Sequence, residues 1–303
     1  MSTNDSNDPE QIDCDTAAIA TILKSRPRAI DRFTVARVLP AGKRRMVGPW
    51  CFLDHVGPAD IPAGEGMDVR PHPHVCLATV SYLFEGEVMH RDSLGSAQVI
   101  RPGAINWMSA GRGIVHSERT PDALRACGSR LHLLQLWVAL PLAAEESEPS
   151  FQHHPAARLP ELTRGDARIR VLAGTLFGAT SPVQTLSPLF FAELNLPAGG
   201  TLELPAEPRE RAAYVVDGAL ICGTQRIEPR ELAVFNADTR PVLVAHAPTR
   251  FMLLGGDPLE GPRYIEWNFV ASSKARIERA KNDWQHRRFP TIPGDDKEFI
   301  PYP

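Results

Sequence analysis

The sequence predicts an all-β protein made of two sandwich-like or barrel-like domains. Three observations support this class. Short apolar runs are separated by turn residues, a second series of such runs repeats the first, and 28 prolines and 22 glycines are spread over the 303 residues. Because prolines at this density interrupt long helices, we expect short strands joined by turns and only a few short helices.

The first series of strands is predicted between residues 75 and 140. Its runs are bounded by the turns Glu85-Gly86, Leu94-Gly95, Pro102-Gly103 and Gly111-Arg112-Gly113. Regular short strands with such turns are typical of sandwiches and barrels. Residues 1–16 are polar with little to bury, which predicts a flexible N-terminus, and residues 17–145 are then the first domain.

The second series repeats the first at a nearly constant distance. The segment from Tyr82 to Gly86 is echoed 132 positions later from Tyr214 to Gly218, and Ile100-Arg101-Pro102 is echoed 127 positions later by Ile227-Glu228-Pro229. Two such matches indicate an internal duplication, although a strand followed by an acidic residue and glycine is also common in unrelated hairpins. The second domain is predicted over residues 186–270.

Two further segments complete the predicted organisation. Residues 146–185 are polar and proline-bearing at their start, which predicts a linker and connecting segment. Residues 271–303 are predicted as a C-terminal helix and tail, with the helix near residues 272–288. Ile277, Ala280 and Trp284 share one face of that helix, so this face should be buried.

Charge and composition exclude several classes of function. The chain carries 33 basic and 36 acidic side chains, a formal net charge of -3, so we expect no direct nucleic-acid binding. No apolar run is long enough to span a bilayer, and we expect no membrane association. The five cysteines are scattered and the N-terminus does not read as a signal peptide, which predicts a cytoplasmic protein.

Two pairs of metal-binding side chains carry the strongest chemical signal. His72 and His74 are separated by one residue, as are His116 and Glu118. Residues two apart in a strand point to the same side, so two such pairs on neighbouring strands would form a four-ligand site. A single His-x-His pair is about as often structural as metal-binding, but the second pair favours a site for a divalent first-row metal. Imidazole binds iron, manganese, nickel, copper and zinc, so the ligand type does not identify the metal.

The sequence around these pairs is specific over long runs. They are residues 79–86 (TVSYLFEG), 90–93 (HRDS) and, above all, 107–118 (WMSAGRGIVHSE). With His72-Pro73-His74 they resemble the pirin family, two-domain members of the cupin superfamily. The resemblance implies two cupin-type β-barrels, a bicupin, with one divalent metal per chain held by His72, His74, His116 and Glu118.

The repeat also indicates where a second metal site is missing. The positions of His72 and His74 fall on Leu204 and Ala206 in the second copy, and His116 and Glu118 are matched at best by a lone His246. The C-terminal barrel should therefore be metal-free.

One departure from the cupin pattern concerns the proton acceptor. Cupins commonly carry a glutamate that is separated from the second histidine by three or four residues, and this chain has Ala78 and Thr79 at those positions. Glu118 is then the only acid in the site motifs, so it is predicted to act as both ligand and catalytic base unless a nearby group helps. We interpret His90 and His55 as structural, with lining the pocket or orienting a ligand as the alternative, and His153-His154 as exposed residues of a proline-bearing loop.

The resemblance implies a function that the residues alone do not define. Pirin-like proteins include dioxygenases that cleave flavonols such as quercetin, which predicts iron(II), a flavonol-like substrate and dioxygen here. Other pirins are non-enzymatic, iron-dependent partners of transcription regulators, and this alternative implies a protein partner. A cupin acting on another small enol or diol is the third reading.

Overall fold

The structure is a computed structural model that describes residues 11–13, 18–30, 33–42 and 44–303. The first thirteen strands are β1 (Gln11–Asp13), β2 (Ile19–Lys24), β3 (Arg26–Ile30), β4 (Phe33–Leu39), β5 (Trp50–Ile61), β6 (Asp68–His74), β7 (Leu77–Glu85), β8 (Val88–Asp92), β9 (Ala97–Ile100), β10 (Ile105–Ser109), β11 (Ile114–Arg119), β12 (Ser129–Ala139) and β13 (Ser150–His154). The remaining strands are β14 (Glu161–Arg164), β15 (Ala167–Leu176), β16 (Ala179–Thr180), β17 (Leu189–Leu196), β18 (Thr201–Glu203), β19 (Glu210–Asp217), β20 (Leu220–Cys222), β21 (Gln225–Ile227), β22 (Glu231–Phe235), β23 (Val242–Ala245), β24 (Thr249–Gly256), β25 (Tyr264–Glu266) and β26 (Phe269–Ala271).

Helices are few in the described part of the chain, as the proline content predicts. The α-helices are α1 (Asp122–Cys127) and α2 (Lys274–Gln285). The predicted C-terminal helix is confirmed as α2, with Ile277, Ala280 and Trp284 buried. Ser273 caps it by accepting a hydrogen bond from the backbone N–H of Arg276. No helix among the described residues is long and apolar enough to cross a membrane.

The described chain divides into two compact units. One contains residues 157–258 with the described parts of 1–28 and 35–54, and the other contains residues 55–156 and 259–303 with the described parts of 29–34. The predicted boundaries differ from these. β2 lies in the predicted N-terminal domain, but it pairs with β22 in the unit that contains residues 157–258. The predicted linker 146–185 contains strands β13 to β16. A strand's pairing partner is set by register between distant segments, which local composition does not reveal.

Each unit has its own two-sheet architecture. In the unit that holds residues 157–258, a large sheet runs in the order β1-β2-β22-β19-β24-β17-β15-β14, and a smaller one in the order β18-β23-β20-β21. Side chains of both sheets share one apolar core, which includes Leu194, Phe251 and Leu243. No strand ladder among the described residues joins the two sheets, so the unit is a cupin-like sandwich and not a closed barrel.

The duplication is confirmed by the strand order. A second large sheet has the order β13-β10-β7-β12-β5-β4-β3, and residues 55–156 contribute β13, β10, β7, β12 and most of β5 to it. The same residues form the smaller sheet β6-β11-β8-β9. Strands β10-β7-β12-β5 of the second large sheet correspond to β22-β19-β24-β17, which places Tyr82 and Tyr214 on equivalent strands. Gly86 and Gly218 follow them with φ of 85° and 79°. The two offsets differ because the hairpin β20–β21 is shorter than its counterpart β8–β9.

Candidate metal centre

Strands β6 and β11 bring the two predicted ligand pairs together. The strands are antiparallel, with His116 opposite His72 and Ile114 opposite His74. A β-bulge falls between His116 and Glu118, where the register on β6 shifts. Because side chains alternate along a strand, His72 and His74 project to the same side, as do His116 and Glu118.

Three of the four predicted ligands form one compact group. His72, His74 and His116 are buried, and a nitrogen of each lies within 4.8 Å of the others. The ring centroids are 4.4 Å apart for His72 and His116, and 5.0 Å apart for His74 and each of the other two. The Nε2 atoms of His74 and His116 are 3.1 Å apart.

Backbone carbonyls orient two of these rings. Nδ1 of His72 lies 2.8 Å from the carbonyl oxygen of Arg70, and Nδ1 of His74 lies 2.9 Å from that of Asn268. A carbonyl only accepts, so each Nδ1 carries the proton and donates it. A neutral imidazole has one N–H, which leaves the lone pair of each ring on Nε2. This is the arrangement by which proteins commonly orient a metal-binding histidine.

The electrostatics keep all three rings neutral. Burial lowers the pKa of His72 to about 4. Burial also lowers the pKa of His74 and of His116 well below the ordinary value, with smaller contributions from the neighbouring rings. Only the neutral ring can donate a lone pair to a metal, so at pH 7 the group is in its ligand form.

The donor set fits a first-row divalent metal. Two imidazole nitrogens that share a metal at about 2.1 Å each, at a right angle, are roughly 3 Å apart, close to the observed Nε2 separation of His74 and His116. Nδ1 of His116 has no hydrogen-bond partner among the described residues. One bound cation would accept the lone pairs of all three rings.

The carboxylate of Glu118 is not part of the three-histidine group. Its Oε1 accepts a hydrogen bond from the hydroxyl of Ser81 at 3.1 Å. Burial raises its pKa, against the opposing effects of His90 and Ser81. The structure therefore brings His72, His74 and His116 together and leaves Glu118 beside them, so its role as fourth ligand stays a prediction.

A row of polar side chains crosses the sheet that contains β7, on the face that is turned towards the three histidines. Asn106, Ser81 and Gln135 lie opposite one another on β10, β7 and β12, so their side chains share a face. Ser81 Oγ is 3.0 Å from Oε1 of Gln135. Asn106 Oδ1 is 2.7 Å from Nδ1 of His153, which is half-buried on β13. The interpretation of His153 as an exposed loop residue is therefore wrong, because β13 adds to the sheet edge.

His90 and Asp92 form a second polar pair beside the site. His90 lies opposite Glu118 in the ladder between β8 and β11, and its ring centroid is 5.4 Å from that of His116. Its Nε2 is 3.0 Å from Oδ2 of Asp92, and its ring stacks on Phe151. The sequence alone did not place Asp92 and Ser81 near the site. For Asp92 a signal was present, because Val88, His90 and Asp92 are two residues apart and therefore share one face of a strand.

The glycine turn before β11 is tightly enclosed. Gly111 has φ of +48°, and a Cβ there would lie 2.0 Å from the carbonyl oxygen of Ser147. That oxygen already accepts a hydrogen bond from the N–H of Arg112. The turn therefore has space for glycine only and leads directly into the strand that carries His116.

Gly111→Ala should destabilise the fold by more than about 2 kcal/mol, because it adds backbone strain and a steric clash. Gly95→Ala is the matched control, since Gly95 also has a positive φ but open space around a Cβ. Chemical denaturation measures both. Equal losses in the two variants would contradict the proposed enclosure.

The second copy replaces the ligands by apolar residues. Leu243 lies between Leu202 and Cys222 in the small sheet, as Glu118 lies between Val69 and His90. Leu204 and Leu243 belong to the apolar core of this unit. His246 is exposed beyond β23 and does not match a ligand position.

Arg211 occupies the interior of that second copy. It is 1% exposed and stands on β19 at the position equivalent to Thr79. Its guanidinium donates to the carbonyl oxygens of Pro205, Thr239 at 2.9 Å and Asn236 at 2.6 Å. Pro205 lies in the segment equivalent to His72–His74, and Asn236 and Thr239 lie in the turn equivalent to the one before β11. Arg211 therefore ties these two segments of the second copy together.

Arg211→Met should lower the free energy of unfolding by about 2–4 kcal/mol, because each of the three carbonyl oxygens then loses the hydrogen bond that Arg211 donates to it. The exposed Arg226→Met in the same unit is the control and should change stability by less than about 0.5 kcal/mol. Denaturation curves test the difference, and elemental analysis should find the same metal content in both variants. A stable Arg211→Met variant would refute this role.

Comparison with known proteins gives consistent matches along the chain. A family model described as Pirin matches residues 32–138, and one described as Pirin C-terminal cupin domain matches residues 191–290. A pirin-like protein of Caulobacter vibrioides is 48% identical over 94% of this chain and 99% of its own. A crystal structure of quercetin 2,3-dioxygenase from Acinetobacter baumannii has a TM-score of 0.87 at 34% identity, covering 93% of this chain and 94% of that one.

A more distant structure shares the fold. A bacterial pirin from Escherichia coli, solved in complex with nickel(II), has a TM-score of 0.62 at 18% identity. The match covers 78% of this chain and 96% of that chain. At this identity the likeness establishes the fold alone.

Proposed function

Because the chain belongs to the pirin family, we propose that it is a metal-dependent dioxygenase that cleaves flavonols such as quercetin with dioxygen. The observation that carries the proposal is the buried group of His72, His74 and His116. The similarity to a protein named quercetin 2,3-dioxygenase supports the substrate class. We propose one iron(II) per chain, held by the three histidines and Glu118.

The protein's contribution to the metal would be a neutral, preoriented donor set. The carbonyls of Arg70 and Asn268 fix the rings of His72 and His74 so that Nε2 faces inward. When bound, the metal would act as a Lewis acid that gathers a chelating hydroxy-ketone substrate and supplies the redox chemistry for dioxygen. Burial of the histidines excludes competing water from the site.

Glu118 is the group that would take the substrate proton. The O–H bond of the flavonol 3-hydroxyl breaks, and the proton goes to a carboxylate oxygen of Glu118. A carboxylate is a common general base in proteins, and in the metal-free protein burial raises the pKa of Glu118 above its ordinary value. The hydroxyl of Ser81 holds the carboxylate in place through its hydrogen bond to Oε1.

The side chains on the same face of the large sheet suit a flat aromatic substrate. Met108, Thr79 and Trp137 form a mainly apolar row next to the polar row of Asn106, Ser81 and Gln135. The ring of Trp137 meets that of His74 edge to face, with 5.2 Å between centroids. An apolar wall with a few polar groups is typical of sites for small organic molecules.

The test mixes iron(II)-loaded protein with quercetin in air and follows loss of quercetin, ring-opened product and carbon monoxide. The proposal predicts all three in proportion to the metal content. Metal-loaded protein that gives no product from any flavonol would contradict it, and would favour the non-enzymatic, iron-dependent pirin role with a protein partner.

A further inference from the structure

The C-terminal residues 264–303, here named the C-terminal brace, cover the outer side of the ligand-bearing strands. The side chains of Val75 and Val115, which follow His74 and precede His116, are buried in an apolar cluster with brace residues. The brace members of this cluster include Phe269, Ile277, Trp284 and Ile292. Gly113 lies directly under the brace, because a Cβ there would be 2.9 Å from the ring of Phe289.

Asp295 binds both neighbours of Glu118 along β11. Its Oδ2 accepts hydrogen bonds from the hydroxyl of Ser117 at 2.7 Å and from Nε of Arg119 at 2.9 Å. Its Oδ1 accepts from Nη2 of Arg119 at 2.8 Å. Ser117 is fully buried and stands between His116 and Glu118. Since side chains alternate, Ser117 and Arg119 point outward to Asp295 while His116 and Glu118 point inward.

The brace also holds β6 at two points. The N–H of Ile300 donates to the carbonyl oxygen of Pro71 at 2.8 Å, directly before His72. The carbonyl oxygen of Asn268 accepts the Nδ1 proton of His74, and Phe269 forms an isolated bridge with Val75. The brace therefore contacts each predicted ligand or a residue next to it in the chain: the ring of His74, and the neighbours of His72, His116 and Glu118.

We infer that the C-terminal brace holds the two ligand-bearing strands in the geometry of the metal centre, and that Asp295 positions His116 and Glu118. The inference rests on the proposed metal site. Asp295 touches no ligand itself and acts through Ser117 and Arg119. A paired, three-bond contact of this kind restricts a strand far more than a single exposed ion pair would.

The expected effect is on metal affinity. Outer groups that orient metal ligands typically contribute about 10–100-fold to binding. Asp295→Ala should therefore weaken metal binding by about 10–100-fold, and Ser117→Ala, which removes one of the three bonds, by less. Asp295→Asn keeps an oxygen that can accept from Ser117 and should fall between the parent and Asp295→Ala.

The experiment uses the full chain, stripped of metal, with nickel(II) as an air-stable probe in competition with a chelator. Asp60→Ala is the matched control, because Asp60 is exposed and pairs with Arg130 in the sheet that does not contain β6 and β11. Thermal unfolding of the metal-free variants runs in parallel. A weaker nickel affinity measured well below the unfolding temperature separates a positioning role from a loss of fold.

The outcomes separate the two proposals. A dissociation constant for Asp295→Ala and Ser117→Ala within twofold of the parent would overturn the positioning role while leaving the metal centre in place. A parent protein that binds no nickel(II) would overturn the metal centre itself, and the inference with it. If Asp295→Ala does not fold, Ser117→Ala alone decides, since it removes one hydroxyl from a strand that stays packed.

Discussion

His116→Ala is expected to leave the protein folded and without metal. His116 contributes one of three converging nitrogens, and its Nε2 is 3.1 Å from that of His74. Two remaining imidazoles hold a divalent ion much more weakly than three. Elemental analysis of the purified protein should fall from about one metal ion per chain to less than about a tenth of that, and His72→Ala should give the same result.

The control for this prediction is a histidine that lies outside the site. His246 is exposed beyond β23, so His246→Ala should keep the full metal content. Circular dichroism and thermal unfolding establish that each variant is folded. Full metal occupancy in both His72→Ala and His116→Ala would exclude these residues as ligands.

Glu118→Gln is expected to keep its metal and lose turnover of quercetin by about a hundredfold or more. Glutamine retains an oxygen donor and nearly the same shape, and it can still accept the hydrogen bond from Ser81. It cannot take up the proton of the substrate hydroxyl. The measurement is the initial rate of quercetin loss at matched metal content, with carbon monoxide as the second readout.

Glu87→Gln provides the matched substitution. Glu87 is paired with Arg101 at 2.9 Å at the surface, so this variant should keep the parent rate. A Glu118→Gln variant that holds its metal and turns over quercetin like the parent would remove Glu118 as the base. His90, which lies opposite Glu118 on β8, would then be the next group to substitute.

The candidate site could be predicted in part from spacing alone. His72 and His74, two residues apart, share a face because of the period of a strand, and the same holds for His116 and Glu118. The structure brings nitrogens of His72, His74 and His116 within 4.8 Å of one another, and the four-residue ligand set stays a prediction. Whether Glu118 completes the ligand set is not answered by spacing, because an extra residue between Val69 and His72 on β6 shifts the pairing of that strand opposite Glu118.

The partners of the site residues could not be predicted in the same way. Ser81 reaches Glu118, Asn268 reaches His74 across 194 positions, and Asp295 reaches Ser117 across 178. Such contacts depend on the register of β7 and β11 and on the path of the C-terminal chain. None of these leaves a local pattern in the sequence.

The sequence by itself determined the all-β class, the duplication, the C-terminal helix and the histidine pairs, because each follows from a backbone period or a repeat within a short window. The tertiary structure alone decided that β2 joins β22, that Arg211 fills the second copy and that residues 264–303 brace β6 and β11. The physical reason is that hydrogen bonds between distant segments are selected by the packing of the whole core, and local propensity does not fix them.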